Sequence, residues 1–237
     1  MSISLKRAGA IFVKDYKEFS RNYAVSIMLI FPILFALLFR GADQLLPGAI
    51  GLVFNTSFVM LTCFAQACLI AEEKERNTLR SLMMTPATTM DVLIGKSSLV
   101  FVMSAVVLAI STYILGYEPA SIGAFVAATI VSIFLYTAVG TICGLFSKTL
   151  LDASFSIIPA AVVFIGAPYG GMLLADDFPI FKVLGYTPSI QLVHLLGVSS
   201  TGSTMGDLLK PLLIILAWTS VLTFISVVLY QRRLKDE

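Results

Sequence analysis

Six long apolar stretches constrain the fold of this chain more than any other feature of its sequence. They are residues 23–39, 47–71, 97–115, 121–146, 153–175 and 208–230. Each carries few or no charges and is long enough to cross a hydrocarbon layer of roughly 30 Å as a helix. A soluble protein would have to hide six such helices with almost no amphipathic helix to cover them. The sequence therefore predicts an all-α membrane protein with six transmembrane helices.

The distribution of basic residues predicts how these spans are oriented. If the N-terminus is cytoplasmic, all but three of the 16 Lys and Arg residues lie on that side, the exceptions being Arg40, Lys182 and Lys210. Cytoplasmic loops of membrane proteins carry such an excess. We therefore expect a multi-pass protein of the cell membrane with both termini cytoplasmic, built as a single transmembrane domain over residues 1–237. The first apolar stretch has no clear cleavage site and is predicted to be a retained span.

Two segments outside the spans are predicted to form short helices at the membrane surface. Residues 1–22 mix apolar with basic side chains, so a helix there would be amphipathic and would suit the cytoplasmic headgroup region. A simple positively charged anchor is the alternative. Residues 176–207, on the other side, are apolar but broken by proline and glycine. They are too short between breaks to span, which indicates re-entrant or interfacial helices.

The sequence gives little support to an enzyme. It contains no H-E-x-x-H or G-x-S-x-G motif and no pair of carboxylates within a span. Residues 95–98 (GKSS) partly match a phosphate-binding loop, but Met90 stands where that motif needs a glycine. Lys96 is instead interpreted as the cytoplasmic end of the third span. The single histidine, His194, is interpreted as a packed or interfacial residue. We expect no catalytic residue, metal or cofactor in this chain.

Neutral polar residues in the second span are candidates for a functional surface. The apolar spans are nearly free of ionisable groups, which weighs against an ion-coupled carrier. Asn55, Thr62 and Gln66 are seven and four residues apart, a spacing that places them on one face of a helix. Carboxamides in an oily helix need partners. Hydrogen bonds between helices and a pathway or dimer seam are both open alternatives.

Small residues and prolines mark the fourth and fifth spans. Gly140 and Gly144 form a G-x-x-x-G pair that predicts close helix packing, and Gly166 and Gly170 form another. Prolines in the fifth span are expected to break its helix, and a broken helix near the outer mouth is a candidate gate. The predicted pathway or seam residues are Asn55, Thr62, Gln66, Pro159, Gly166, Pro168, Tyr169 and Gly170.

The densest charge cluster of the chain, residues 72–76 (EEKER), lies between the second and third spans. Glu72 and Arg76 are spaced for an i,i+4 ion pair, so a helix is predicted from residue 72 to residue 84. Pro86 would end that helix. Thr88 and Asp91 have the spacing of a capping box, which predicts that a second helix begins there. Residues 72–96 are thus expected to form a rigid helix–turn–helix lever. A solvated loop is the plainer alternative.

The stretch EEKERNTLRSLMMTPATTMDVLIGK resembles the cytoplasmic signature of ABC-2 type transporter permeases. The matching residues are Glu73, Glu75, Arg76, Thr78, Leu79, Leu82, Thr85, Pro86, Gly95 and Lys96. The span count, the cytoplasmic termini and the basic N-terminal helix are similar to that family as well. So is LGYTPSIQLVHLL before the last span, and the resemblance covers essentially the whole chain.

The resemblance implies a mechanism and partners. Two permease subunits, identical or related, would pair in the bilayer, and each would dock a cytoplasmic ATPase subunit that holds ATP and Mg²⁺. The segment after the second span would be the coupling helix, and spans two and five would line a path at the dimer centre. The expected coupling residues are Glu72, Glu73, Glu75, Arg76, Thr78, Leu79, Arg80, Leu82, Met83 and Pro86.

The sequence therefore predicts the permease subunit of an ABC exporter for a hydrophobic or amphipathic substrate, such as a drug, lipid or peptide. No nucleic-acid partner is expected. A non-transporting membrane scaffold or sensor component is the alternative, because the same lever could bind a cytoplasmic partner without any pathway.

Overall fold

Helices account for all the regular structure in the residues that the structure, a computed structural model, describes: 4–21, 27–40, 47–76, 88–174, 179–198 and 205–236. The α-helices are α1 (Leu5–Arg21), α2 (Ile30–Leu38), α3 (Pro47–Ser57), α4 (Phe64–Glu75), α5 (Thr89–Leu115), α6 (Ile122–Phe146), α7 (Leu150–Ser156), α8 (Ile158–Leu174), α9 (Pro188–Gly197) and α10 (Met205–Asp236). The other helical segments among the described residues are two 3₁₀ segments, Ile27–Leu29 and Pro179–Tyr186, and one π-helical segment, Phe58–Cys63.

Five helices of the described residues are long and apolar enough to cross a membrane. They are Gly48–Glu75, Met90–Leu115, Ile122–Phe146, Leu150–Gly170 and Met205–Arg233. The first predicted span, residues 23–39, corresponds to a shorter apolar helix, Ile27–Leu38. The chain is thus an all-α, multi-pass membrane protein.

The second span is the central element of the bundle. It runs through α3, the π-helical segment and α4, and most of its side chains are buried. Helix α6 packs against both α4 and α10, and α5 packs against α1 and α2. Because the second span is apolar all round, it suits a position enclosed by other helices.

Helix α5 begins with the capping box that the sequence predicts. The Thr88 hydroxyl accepts a hydrogen bond from Asp91 N at 3.1 Å, and the Asp91 carboxylate accepts one from Thr88 N at 2.9 Å. The helix then continues without a break from Thr89 to Leu115. The second helix of the lever and the third span are thus one helix, and the membrane boundary expected at residues 96–97 lies within it. Gly116, at φ 64°, ends it in the left-handed conformation.

The two glycine pairs behave differently. A Cβ on Gly144 would lie 2.8 Å from Ala67 O, and one on Gly140 would collide with Cys63 O. The close packing predicted for this pair is confirmed, since glycine alone lets α6 approach the second span so closely. A Cβ on Gly166 or Gly170 would meet no described atom within 4 Å, so this pair does not pack against another described helix of the chain.

The fifth span is interrupted beside one of its two prolines, Pro159, but not at the other, Pro168. The interruption falls at Ile157, between α7 and α8, and Pro159 lies in the first turn of α8, where a missing N–H costs little. Pro168 lies inside α8, which continues to Leu174. The prediction of a broken helix near the outer mouth is therefore wrong. The break is near the other end of the span, and Pro168 does not end the helix.

The two ends of the bundle are formed by different helices. At one end, here called the basic end, α1 packs against α5 and contacts the end of α4, and the end of α4 in turn contacts the end of α6 and the start of α7. At the opposite end, α9 packs against α3, α8 and α10. Within residues 176–207 the structure describes two short helical segments, the 3₁₀ segment Pro179–Tyr186 and α9, and their re-entrant or interfacial placement stays a prediction.

Candidate coupling site at the basic end

Helix α1 is amphipathic and is held against α5. Its buried positions are Ala8, Ile11, Asp15 and Phe19, which recur every three or four residues along one face. A Cβ on Gly95 of α5 would lie 2.8 Å from both Ala8 O and Ile11 Cβ, so Gly95 permits this close approach. The predicted amphipathic helix is confirmed, and its inner face packs on the protein.

A buried ion cluster lies between α1, α4 and α5. Lys96 Nζ is 3.2 Å from Asp15 Oδ2 and 3.0 Å from Glu73 Oε1, and it also donates to Leu69 O at 3.0 Å. The side chains of Lys96, Asp15 and Glu73 are 1%, 1% and 4% exposed. Buried charges are tolerated when they are paired and hydrogen-bonded, and removing one partner is costly. The cluster therefore fixes three helices to one another.

Lys14 completes the cluster at its half-exposed edge. Its Nζ is 3.3 Å from Glu73 Oε1 and 3.5 Å from both Asp15 Oδ1 and Glu18 Oε2. Burial opposes the charge of Lys14, but the Glu73, Asp15 and Glu18 carboxylates outweigh it and raise the pKa of this lysine. Lys14 therefore stays protonated and balances the second buried carboxylate.

The interpretation of Lys96 as the cytoplasmic end of a span misses this role. Residues 95–98 are continuous helix, and the Lys96 ammonium is bound by carboxylates rather than facing solvent. The available signal was Asp15, which shares the apolar face of a predicted amphipathic helix with Ile11 and Phe19. An acid at such a position needs a buried partner.

A second charged contact fastens the starts of α1 and α5. Asp91 Oδ2 accepts from Arg7 Nε at 2.7 Å, and Asp91 Oδ1 accepts from Ser4 N at 2.7 Å. Together with the Thr88 bond, this one buried carboxylate satisfies backbone N–H groups at the beginnings of two helices.

Lys74 and Glu75 join the end of the second span to the fourth and fifth spans. Lys74 Nζ donates to Leu145 O and Ser147 O, both at 2.7 Å, where α6 ends. Carbonyls at a helix C-terminus lack intrahelical partners and attract a cation. Glu75 Oε2 accepts from Leu150 N at 2.9 Å, at the positive N-terminus of α7.

The charged residues at the end of the second span, which are predicted coupling residues except for Lys74, thus divide into two groups. Glu73, Lys74 and Glu75 are engaged by other helices of the chain, whereas Arg76 is paired with Glu72 at 2.7 Å and its side chain is 58% exposed. The predicted Glu72–Arg76 ion pair is confirmed. Thr78, Leu79, Arg80, Leu82, Met83 and Pro86 lie outside the described residues, so the predicted apolar tip of the lever stays a prediction.

The polar residues of the second span are fully buried and bonded to neighbouring helices. Asn55 Nδ2 donates to Ser189 O, and Asn55 Oδ1 accepts from Tyr136 OH, each at 3.3 Å. Thr62 shares a 2.8 Å hydrogen bond with Ser104 of α5. Gln66 Nε2 donates to Thr141 Oγ1 at 3.1 Å and to Ser97 Oγ at 3.4 Å.

These contacts show one of the two alternatives for Asn55, Thr62 and Gln66, hydrogen bonds between helices, while their role at a pathway or dimer seam stays a prediction. The prediction of one shared face is wrong, because Asn55 turns to α6 and α9 while Thr62 turns to α5. The π-helical segment Phe58–Cys63 lies between Asn55 and Gln66 and changes the phase of the helix. The bonds between helices are present, so these side chains face the interior of the chain.

The residues of the fifth span have an outward face. Pro159 and Gly166 are exposed, as are Val162 and Val163 between them. Pro168 is buried, and Tyr169 OH donates to Gly48 O at 3.0 Å, which fastens α8 to the start of α3. The exposed residues Pro159, Val162, Val163 and Gly166 form an apolar face on the first half of α8.

The fold and the basic end together define a class of protein: a multi-pass helical membrane protein whose spans are fastened to one another by a charged segment. Residues 39–229 match the family model described as ABC-2 family transporter protein. The chain therefore belongs to the ABC-2 family and is a membrane transport component of the permease type. No curated protein matches the chain at a significant level. Helix α1 lies before the matched residues, so the ion cluster joins the family region to a preceding helix.

Proposed function

We propose that this chain is the permease subunit of an ABC exporter, powered by a separate ATPase subunit. The observation that carries the proposal is the end of the second span. Three consecutive residues there, Glu73, Lys74 and Glu75, contact α1, α5, α6 and α7. A force applied just after Glu75 therefore acts on several helices at once.

The proposed contact with the ATPase begins at Arg76. Its side chain is exposed, and the residues that follow it in sequence carry the rest of the predicted coupling helix. Arg76 and Arg80 would contact the partner, and Leu79, Leu82 and Met83 would form the apolar tip. Glu73 would act differently, by keeping the base of the lever rigid.

ATP and Mg²⁺ belong to the partner subunit in this proposal. The chain's one partial resemblance to a phosphate-binding loop, residues 95–98, is helical, and its lysine is held by Asp15 and Glu73. A loop that cradles phosphate needs free backbone N–H groups, which a helix interior does not offer.

The second proposed partner is another permease subunit, identical or related. The exposed face of α8 supports this, because Gly166 and Gly170 have open space where a partner helix could approach. By resemblance to the family, the path would follow spans two and five at the dimer centre. The neutral interior of the spans supports a hydrophobic or amphipathic substrate, moved across the cell membrane with both termini cytoplasmic.

The test is transport by the chain reconstituted with and without its ATPase subunit, the product expected from a neighbouring reading frame. Inverted vesicles should accumulate a hydrophobic dye when ATP is added, and only when both subunits are present. Co-purification without any ATP-dependent transport of dyes, lipids or peptides would overturn the exporter proposal and favour the scaffold alternative.

A further inference from the structure

A cleft outside the proposed coupling site and dimer seam opens between α5, α6 and α10. Its volume is about 180 Å³, and its apolar walls include Leu93, Phe134 and Val227. Five hydroxyl-bearing residues also line it: Ser97, Thr137, Thr141, Thr223 and Ser226. Thr137 is nine residues before the end of α6, so the cleft lies about 13 Å from that end along the helix axis. This depth places it within the leaflet next to the basic end.

The Thr137 hydroxyl in this cleft makes no hydrogen bond to a described residue. The residue is 6% exposed, and its Oγ1 has no hydrogen-bond partner among the described residues. Threonine in a helix commonly donates to the carbonyl four residues earlier, as Thr141 does to Thr137 O at 2.9 Å. A buried hydroxyl without a partner loses its hydrogen bonds to water and destabilises the folded chain. A partner from outside the chain would remove this cost.

The neighbouring hydroxyls do not supply that partner. Thr141 donates to its own helix and accepts from Gln66 Nε2, and Ser226 donates to Thr223 O at 2.9 Å. A trapped water needs two to four polar partners of its own. The apolar walls beside Thr137 suit a molecule with a hydrocarbon part next to its oxygen.

The mouth of the cleft faces the lipid. Phe134 is 49% exposed and Thr223 is exposed, and both lie on its rim. We propose that the cleft binds an amphiphile from the leaflet next to the basic end, with a hydroxyl or ester oxygen hydrogen-bonded to Thr137 and the hydrocarbon chain against Leu93, Phe134 and Val227. Binding here requires neither ATP nor the ATPase subunit.

The test uses the full chain in phosphatidylcholine nanodiscs and a monoacylglycerol that carries a diazirine on its acyl chain. Illumination should label peptides containing Leu93 or Val227, and excess unlabelled monoacylglycerol should compete. Thr137→Val keeps the side-chain shape and removes one hydrogen bond, so labelling should fall roughly threefold to tenfold. Thr112→Val is the matched control on α5. The Thr112 hydroxyl bonds its own helix at Leu108 O, so labelling should not change.

Two further measurements keep the result decisive. A diazirine alkane of the same length without oxygen should label the cleft weakly and should not distinguish Thr137→Val from wild type. Thr223→Phe, on the exposed rim, should block labelling even if Thr137→Val is not recovered folded. Equal labelling of wild type and a folded Thr137→Val chain, equal labelling by the alkane, or undiminished labelling of Thr223→Phe would overturn the proposal. Since no step involves ATP, failure here is distinguishable from failure of the proposed transport.

Discussion

The two ends of the bundle are fastened in different ways. At the basic end, Asp15, Glu73 and Asp91 are buried carboxylates, and each is bound by a lysine or an arginine. At the opposite end, neutral side chains donate to backbone carbonyls: Tyr169 to Gly48 O at 3.0 Å, Tyr117 to Leu196 O at 2.8 Å and Trp218 to Tyr186 O at 3.0 Å.

This difference indicates how a force could pass through the molecule. A buried ion pair is costly to leave half made, so the helices of the basic end are held in one arrangement. A neutral hydrogen bond contributes only about 0.5–1.5 kcal/mol net, so contacts at the opposite end are easier to exchange. In the proposed mechanism the helices of the basic end move together as one rigid body, and the contacts between helices at the opposite end change.

The largest expected effect comes from Lys96→Met. The change removes the buried cation between Asp15 and Glu73 and leaves them only Lys14 at the half-exposed edge, so the free energy of unfolding should fall by about 3–5 kcal/mol. Denaturation of the purified chain in mixed micelles measures it. Lys17→Met, at an exposed position of α1, is the control and should be close to neutral. A Lys96→Met chain as stable as that control would contradict the structural role of the cluster.

Glycine substitutions compare the packing of the two ends. A Cβ at Gly95 meets Ala8 O and Ile11 Cβ, whereas a Cβ at Gly48 meets no described neighbour within 4 Å. Both changes to alanine reduce the conformational entropy of the unfolded chain. The difference between the unfolding free energies of the two variants therefore measures the clash at Gly95. We expect Gly95→Ala to be less stable than Gly48→Ala by about 1–3 kcal/mol in the same denaturation experiment. Equal stabilities would show that α1 is free to shift.

The N-cap residues of α5 and α6 should differ less in their contribution to stability than the two glycine positions do. Thr88 takes part in a full capping box at the basic end, while Ser121 makes one longer bond of 3.4 Å to Ala124 N at the start of α6. Thr88→Ala should cost about 1–2 kcal/mol, and Ser121→Ala about 0.5 kcal/mol. Hydrogen exchange of the first turn of each helix checks both. A larger loss of protection in Ser121→Ala would reverse the comparison.

The smallest effect is expected for Tyr169→Phe, which removes the hydroxyl bond between α8 and α3. The cost should be about 0.5–1 kcal/mol. Tyr113→Phe removes a hydroxyl from a side chain that is 88% exposed and is the matched control. If Tyr169→Phe destabilised the chain as much as Lys96→Met, the opposite end would be as rigid as the basic end.

Local features of this fold could be predicted from sequence, together with the close packing at Gly140 and Gly144, whereas the ion pairs between distant segments could not. The capping box at Thr88 and Asp91, the amphipathic helix α1 and the Glu72–Arg76 pair each depend on residues within one or two turns. The Asp15–Lys96 contact joins residues far apart in the chain, and neither position identifies its partner. Short-range sequence patterns therefore predict the individual helices, but they do not predict the ion cluster of Asp15, Glu73 and Lys96 that joins them.

One error, and one refinement of a prediction that stays untested, have a definite physical origin. The shared face of Asn55 and Gln66 assumed a regular helix, and the π-helical segment between them breaks that periodicity. The coupling prediction treated the charge cluster as one surface. Successive residues of a helix point about 100° apart, so Glu73, Lys74 and Glu75 reach three different neighbours. Of the described residues of the cluster, Glu75 and Arg76 are exposed.

The central claim, that the charge cluster divides between an internal junction and an external contact, is tested most directly by Glu73→Gln and Arg76→Glu. Each variant is measured for the unfolding free energy of the isolated chain and for co-purification with the ATPase subunit. Glu73→Gln should lower the unfolding free energy by about 1.5–3 kcal/mol. Arg76→Glu should leave stability near wild type and reduce co-purification roughly tenfold. Unchanged co-purification of Arg76→Glu, together with its loss in a still-folded Glu73→Gln chain, would contradict the account.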